Sequence, residues 1–323
     1  MTAASSQGLS RRAALGGLAL AISSAAWGQD AFPTKPIRII IPFAPGGSLD
    51  VSVRWIAERL SPTLGQPVIV ENRAGGDGMI AMRAVKESPA DGHTLMAVSS
   101  LFSQALALKK EPGYEAKDFV AIAGLSEAPL VVSGPSSRAE KTLAEVLALA
   151  KANPETVSFG SGGVGTAAWL SATMMAHMAG VKLLHIPYKG VAAARPDLLG
   201  GRLNILFDTP GGPIQHVQEG RLRAYGVTST KRLASYPNVP TVAEQGLPNY
   251  SYTVYNGLVA LAGTPKPVVA KLEQAIRVLV ASPGFADQCK VDLLDPMPST
   301  SEQFGQRILQ DVQKVLDLGL PKQ

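Results

Sequence analysis

Twice in this chain a short apolar run ends in a glycine-rich turn and gives way to a helical pattern. That repetition restricts the fold to an α/β class. The first turn is Phe43-Ala44-Pro45-Gly46-Gly47-Ser48, directly after Ile37-Arg38-Ile39-Ile40-Ile41. The second is Gly160-Ser161-Gly162-Gly163-Val164-Gly165-Thr166, directly after Val157-Ser158-Phe159. A continuous apolar strand belongs to a parallel sheet covered on both faces. Glycine lets backbone approach a ligand closely, and a helix N-terminus carries unpaired N–H groups and a partial positive charge. Two such turns facing each other would clamp a small anion through the main chain.

The pattern continues on both sides of each turn. A helix is expected from Ser48 to about Leu64, with Val53, Ile56, Ala57, Leu60 and Leu64 on one face and Ser48 as its N-cap. Val68–Val70 and Thr94–Val98 read as strands around a third glycine turn, 72–78, which puts Ser99 and Ser100 at a strand end. After a strand-like stretch from Phe119 to Ser133, a second alternation runs to about residue 210. Alternating strands and helices give a doubly wound sheet, whose ligands sit at the carboxyl ends of the strands. With no flexible linker between two such units, the expected architecture is two lobes, each a sheet flanked by helices, joined by crossing strands over a cleft. One lobe comprises residues 29–130 plus 229–323 and the other 131–228. Residues 237–255, with three prolines and three tyrosines, read as irregular.

Composition removes several function classes. The 323 residues are 46% hydrophobic and 17% charged, as in a well-buried globular chain. The net charge of +5 includes Arg11 and Arg12, and there is no basic run, so no nucleic-acid partner is expected. Residues 1–28 read as a signal peptide: Ser10-Arg11-Arg12, the apolar stretch Ala13–Ala26, then small residues at Ala26 and Gly28. The arginine pair suits the Sec or the twin-arginine route, and either makes the protein periplasmic. Cys289 stands alone, so cysteine usage says nothing about compartment.

The other motifs carry rival chemistries. Gly160, Gly162 and Gly165 match the dinucleotide fingerprint, but no acid stands between Glu155 and Asp197 to hold a ribose. Ser161 suggests a nucleophile, yet Phe159 occupies the first glycine position of the G-x-S-x-G elbow. The four histidines have neither metal-ligand spacing nor a motif that pairs one with Ser161, so no metal and no cofactor are expected. Asp50, in the first turn of its helix, would repel an anion if it faced the cleft. It is expected to point away or to meet an amino group of the ligand. Asp208 has the same two readings, a ligand ammonium or the adjacent loop, with the loop favoured.

Several motifs then occur in order: Phe43-Ala44-Pro45-Gly46-Gly47, Glu71-Asn72-Arg73-Ala74-Gly75-Gly76, Pro89-Ala90-Asp91-Gly92-His93-Thr94-Leu95 and Pro187-Tyr188-Lys189-Gly190, with Asp197-Leu198-Leu199-Gly200-Gly201, Val239-Pro240-Thr241 and Gly263-Thr264-Pro265-Lys266 following. With this set the chain resembles the Bug-type receptors of tripartite tricarboxylate transporters over essentially its whole length after residue 28. The resemblance implies a type II-like periplasmic-binding-protein fold that closes on a small carboxylate, held largely by main-chain N–H groups and bridging waters. It implies no catalysis, and a monomer that delivers its ligand to membrane transporter subunits. The matching positions are Phe43, Gly46, Gly47 and Ser48 in one lobe, with Ser161, Gly162, Gly163, Val164, Gly165 and Thr166 in the other. Gly76, Ser100, Tyr188 and Asp208 are further candidates. Where many relatives carry His-Leu and then an acid, this chain has Trp169-Leu170 and Thr173. If Trp169 lines the cleft, the pocket is more apolar than in those relatives and suits a bulkier or less charged acid. Two other roles share much of this pattern: a sensory partner of a membrane signalling protein, and a secreted hydrolase using Ser161 or Ser100.

Overall fold

The computed structural model describes residues 32–322, so the expected signal peptide lies outside the described residues. In chain order the first half comprises β1 (Ile37–Ile41), α1 (Ser48–Leu64), β2 (Val68–Asn72), α2 (Met79–Lys86), β3 (Thr94–Ser99), α3 (Ser100–Leu108), β4 (Phe119–Pro129), β5 (Val131–Pro135), α4 (Leu143–Ala152) and β6 (Ser158–Ser161). There follow α5 (Ala167–Ala179), β7 (Leu184–Pro187), α6 (Val191–Leu199), β8 (Ile205–Asp208), α7 (Ile214–Gln218), β9 (Leu222–Val227), β10 (Thr253–Leu261), α8 (Lys266–Val280), α9 (Pro283–Val291), β11 (Asp295–Pro296) and α10 (Ser301–Leu316).

These strands make two sheets. The larger has six strands in the order β11-β4-β10-β3-β1-β2, and the smaller five in the order β7-β6-β8-β5-β9. β1 pairs in parallel with β2 and β3, and β6 with β7 and β8. β10 runs antiparallel between β3 and β4, and β5 antiparallel between β8 and β9. Each glycine turn follows an internal parallel strand, β1 or β6, at the carboxyl end where α/β sheets bind ligands.

Local sequence explains the elements next to those turns. Leu49, Val53, Ile56, Ala57, Leu60 and Leu64 form the buried face of α1, and Gly65 ends it in the left-handed conformation at φ 72°. The N-cap is Gly47, not Ser48, which is the first helical residue and makes no capping bond. The Asp50 carboxylate instead reaches back past the cap to accept the Gly46 N–H at 3.0 Å, which ties the glycine turn to the first turn of the helix. Thr166 caps α5 by position, and Gly180 closes it at φ 63°.

The chain passes between the sheets at a narrow point. It leaves the larger sheet after β4 and enters the smaller through β5, with Leu130 between. The way back is longer than expected. Residues 229–252 stay with the smaller sheet, where Val242, Leu247 and Tyr250 share a core with Phe159, Met175 and Tyr225. The boundary expected at 228 therefore does not match the packing of this segment, which returns near Tyr252. Thr228, wholly buried, ties both crossings together. Its N–H donates to the Leu130 carbonyl and its carbonyl accepts the Tyr252 N–H. Its hydroxyl accepts from the Leu130 N–H and donates to the Tyr252 carbonyl, both at 2.7 Å.

β10 is central to the larger sheet, although its first residues read from sequence as irregular. Gly257 inside it is required by packing, because a Cβ there would fall on the Phe304 ring.

Replacing Thr228 with Val keeps the shape and removes the hydroxyl, leaving the Leu130 N–H and the Tyr252 carbonyl short of a partner. The expected loss is about 1–3 kcal/mol of unfolding free energy in urea titration. An unchanged midpoint would show that the crossing does not depend on this side chain.

Candidate functional site

A cavity of about 610 Å³ lies where the two sheets' strand ends meet. Phe43 and Ala44 of the first glycine turn line one side, and Gly162, Val164, Gly165 and Thr166 of the second line the other. Gly75, Gly76 and Gly78 of the third turn and Ser99 at the end of β3 complete the rim. An adjoining cavity of about 160 Å³ shares Ser99, Leu101 and Gln104 with the first and is lined by Ser48, Ser100, Ala167 and Thr209. The starts of α1, α2, α3 and α5 therefore converge on one region. The first N–H groups of each helix have no acceptor within that helix, and their dipoles favour negative charge.

The first turn is held by a compact ionic network. The Asp50 carboxylate accepts from the Gly46 N–H and from Arg54 Nε, both at 3.0 Å, and from Asn72 Nδ2 at 2.8 Å. Asn72 Nδ2 also donates to the Phe43 carbonyl, and its Oδ1 accepts from Arg54. Burial by itself would raise the Asp50 carboxyl, but the bonds from Arg54, Asn72 and Gly46 outweigh it and hold the group below the usual carboxylate range. Asp50 thus faces the backbone of its own turn rather than a ligand. It also consumes the Gly46 N–H, which is not free for an anion.

The second turn is shaped by Ser161. Its hydroxyl, wholly buried, donates to the Gly163 carbonyl at 3.1 Å and receives the Gly163 N–H at 3.0 Å. The Gly163 carbonyl also accepts the Thr166 hydroxyl at 2.7 Å. Gly163 and Gly165 sit at φ 112° and 83°, where a side chain is strained. The Gly163 N–H is therefore internal, and Gly163 shapes the turn rather than lining the cavity. A contact invisible in sequence also appears here. Parallel pairing of β6 and β7 brings His185 Nε2 within 2.7 Å of the Ser161 hydroxyl. Phe159 stacks on that imidazole at 5.0 Å, and burial pushes the His185 pKa below the ordinary value. At the edge of the smaller sheet, this pair adds a contact that holds the turn.

Of the residues singled out from sequence, Phe43, Gly76, Gly162, Val164, Gly165 and Thr166 line the large cavity, and Ser48 and Ser100 the small one. Gly46, Gly47, Ser161 and Gly163 line neither cavity; Gly46 and Gly47 are exposed, Gly163 is half-buried and Ser161 is buried. Tyr188 and Asp208 line neither cavity. The Tyr188 phenol donates to Asp197, and Asp208 is buried in an ion pair with Arg195 at 2.6 Å while bonding the Thr209 N–H. Trp169 lines neither cavity. It packs with Ala107, Leu108, Leu170 and Val315 where the helices of the two sheets meet.

Sequence reading missed the cavity's apolar interior. Met79 and Met82 of α2, Met96 of β3, and Leu101, Phe102 and Leu108 of α3 form most of it, with Tyr114. The signal for α3 was present as Ser99-Ser100 ahead of an apolar run, a pattern that starts helices.

The family described as "Tripartite tricarboxylate transporter family receptor" matches residues 52–318. The UPF0065 protein of the tcbD–tcbE intergenic region of Pseudomonas sp. strain P51 is 37% identical over 287 residues, 87% of this chain and 85% of that one. The solved structure of the periplasmic binding protein BugD is 33% identical, with a TM-score of 0.72 over 90% of this chain and 100% of that chain. Rpa4515 of R. palustris, solved with adipate, is 26% identical, with a TM-score of 0.75 over 90% of this chain and 100% of that chain.

Asp50→Asn keeps the shape but removes the charge that orders the first turn. It is expected to cost about 1–3 kcal/mol at neutral pH. The carboxyl is depressed in the folded state, so its stabilisation is complete above the ordinary value of 3.8. It disappears as pH falls through the lower folded value. Unfolding curves of wild type and variant should therefore converge below pH 3.8 and separate above it.

Proposed function

This chain belongs to the family of tripartite tricarboxylate transporter receptors, and we propose on that premise that it binds a small carboxylate between its two lobes and delivers it to a membrane transporter. The family and its solved neighbours are solute-binding proteins rather than enzymes. Ser161 is moreover fully buried and spent on its own turn, which argues against the hydrolase reading.

One observation carries the proposal: glycine turns from two separate sheets line a single cavity together with several helix starts. A carboxylate there would accept charge-assisted hydrogen bonds from main-chain N–H groups. We assign the lobes as residues 35–130 with 253–322, and 131–252, with the turn at Thr228 and Tyr252 as the hinge. Closure is then a population shift driven by contacts made only when both turns touch the ligand. Residues 1–28 would direct export to the periplasm, and the adipate found in Rpa4515 is consistent with an acid as cargo.

Calorimetric titration of the purified protein with a panel of organic acids is expected to yield at least one ligand at 1:1 stoichiometry, with a fall in radius of gyration by X-ray scattering. Val164 is 47% exposed on the cavity rim, so its replacement leaves folding intact. Val164→Asp should weaken that ligand about tenfold or more beyond the effect of Val164→Asn, through charge repulsion. Equal effects of the two variants would contradict an anionic ligand.

A further inference from the structure

The interior of the large cavity does not match a compact, multiply charged acid. Its floor is Met79, Met82, Met96, Phe102, Leu108 and Tyr114. Lys109 is the one cationic side chain among its described lining residues, and no arginine lines it. A second and third carboxylate placed on this floor would be desolvated against methionine and aromatic surface, at a cost far above any gain from burial. Methionine suits such a chamber because its flexible thioether moulds to irregular apolar shapes and favours ring edges.

Two further observations indicate what enters. Leu101 and Val164, from opposite sides of the cleft, are 42% and 47% exposed at its mouth. Apolar side chains at the entrance gain only if an apolar body lies between them. Gln104 is 3% exposed and lines the large cavity, the adjoining one and a third pocket beside Tyr252. Its Nε2 donates to the Tyr252 phenol at 2.7 Å, while its Oε1 has no partner among the described residues. A buried amide oxygen left unpaired is costly, and a water held between ligand and wall can donate to it.

We infer that the ligand is a monocarboxylic acid with an apolar, ring-sized body, its carboxylate at the helix starts and its body in the methionine-lined chamber. This rests on the receptor reading above and narrows it to one substrate class. Trp169, which suggested a more apolar site from sequence, is not the cause; α2 and α3 are.

The test is the affinity of the purified wild-type protein for benzoate and cyclohexanecarboxylate against succinate and citrate, with benzamide as the uncharged control. The two apolar acids should bind at least tenfold more tightly than succinate or citrate, and benzamide should bind more weakly than benzoate. Leu101→Asn, a change at an exposed position, should weaken the apolar acids about three- to tenfold and leave thermal unfolding unchanged. Succinate or citrate binding as tightly as benzoate would overturn the inference and leave the receptor reading intact. Benzamide matching benzoate, or no acid binding at all, would remove both.

Discussion

Helix starts leave main-chain N–H groups without partners, and this chain gathers several such starts around one space. α1 and α5 open immediately after glycine turns, and α2 and α3 open beside them at the same strand edge. No pair of charged side chains could create that field so cheaply, because the donors are part of the backbone and are fixed by the helices themselves. The site therefore depends on turn geometry. The Asp50 network holds the first turn, and the Ser161–His185 pair holds the second. In both, a polar side chain is spent on shaping the loop, and the residues left facing the cavity are small or apolar.

The two halves of that field sit on different sheets, so their spacing is set by the crossing. Thr228 binds the outgoing and returning chains through its backbone and hydroxyl together. The same segment reaches the cavity wall, since Tyr252 bonds Gln104 through its phenol and Thr228 through its backbone. α3 adds to this contact: the Ser100 hydroxyl accepts the Tyr255 N–H at 2.8 Å, and Ser103 bonds the Tyr255 phenol. A ligand that orders Gln104 would thus act one side chain away from the crossing.

Much of this was legible in the sequence. The strands β1 and β6, the span of α1 and both glycine turns follow from apolar runs, helical spacing and glycine placement. What was not legible depended on tertiary partners. The first half of β10 lay in a stretch rich in proline and tyrosine, and the Phe304 ring and the Ala123 carbonyl explain the glycine at 257. His185 stands 24 residues from Ser161, and no spacing rule joins them until β6 and β7 pair. Asp50 and Asp208 were ambiguous as single carboxylates; their partners Asn72, Arg54 and Arg195 decide that both serve the loops. Trp169 was noticed for its type, but its orientation is set by Leu108 and Val315, which pattern alone does not bring near it.

The most direct test of the account is amide chemical-shift mapping of the isotope-labelled protein during titration with benzoate. If the carboxylate is held by helix starts, the largest shifts will fall on the N–H groups of Ser48, Leu49, Ser100 and Gly165–Ala168, on both sheets and with a common saturation curve. Shifts confined to one sheet, or centred away from these three segments, would contradict it.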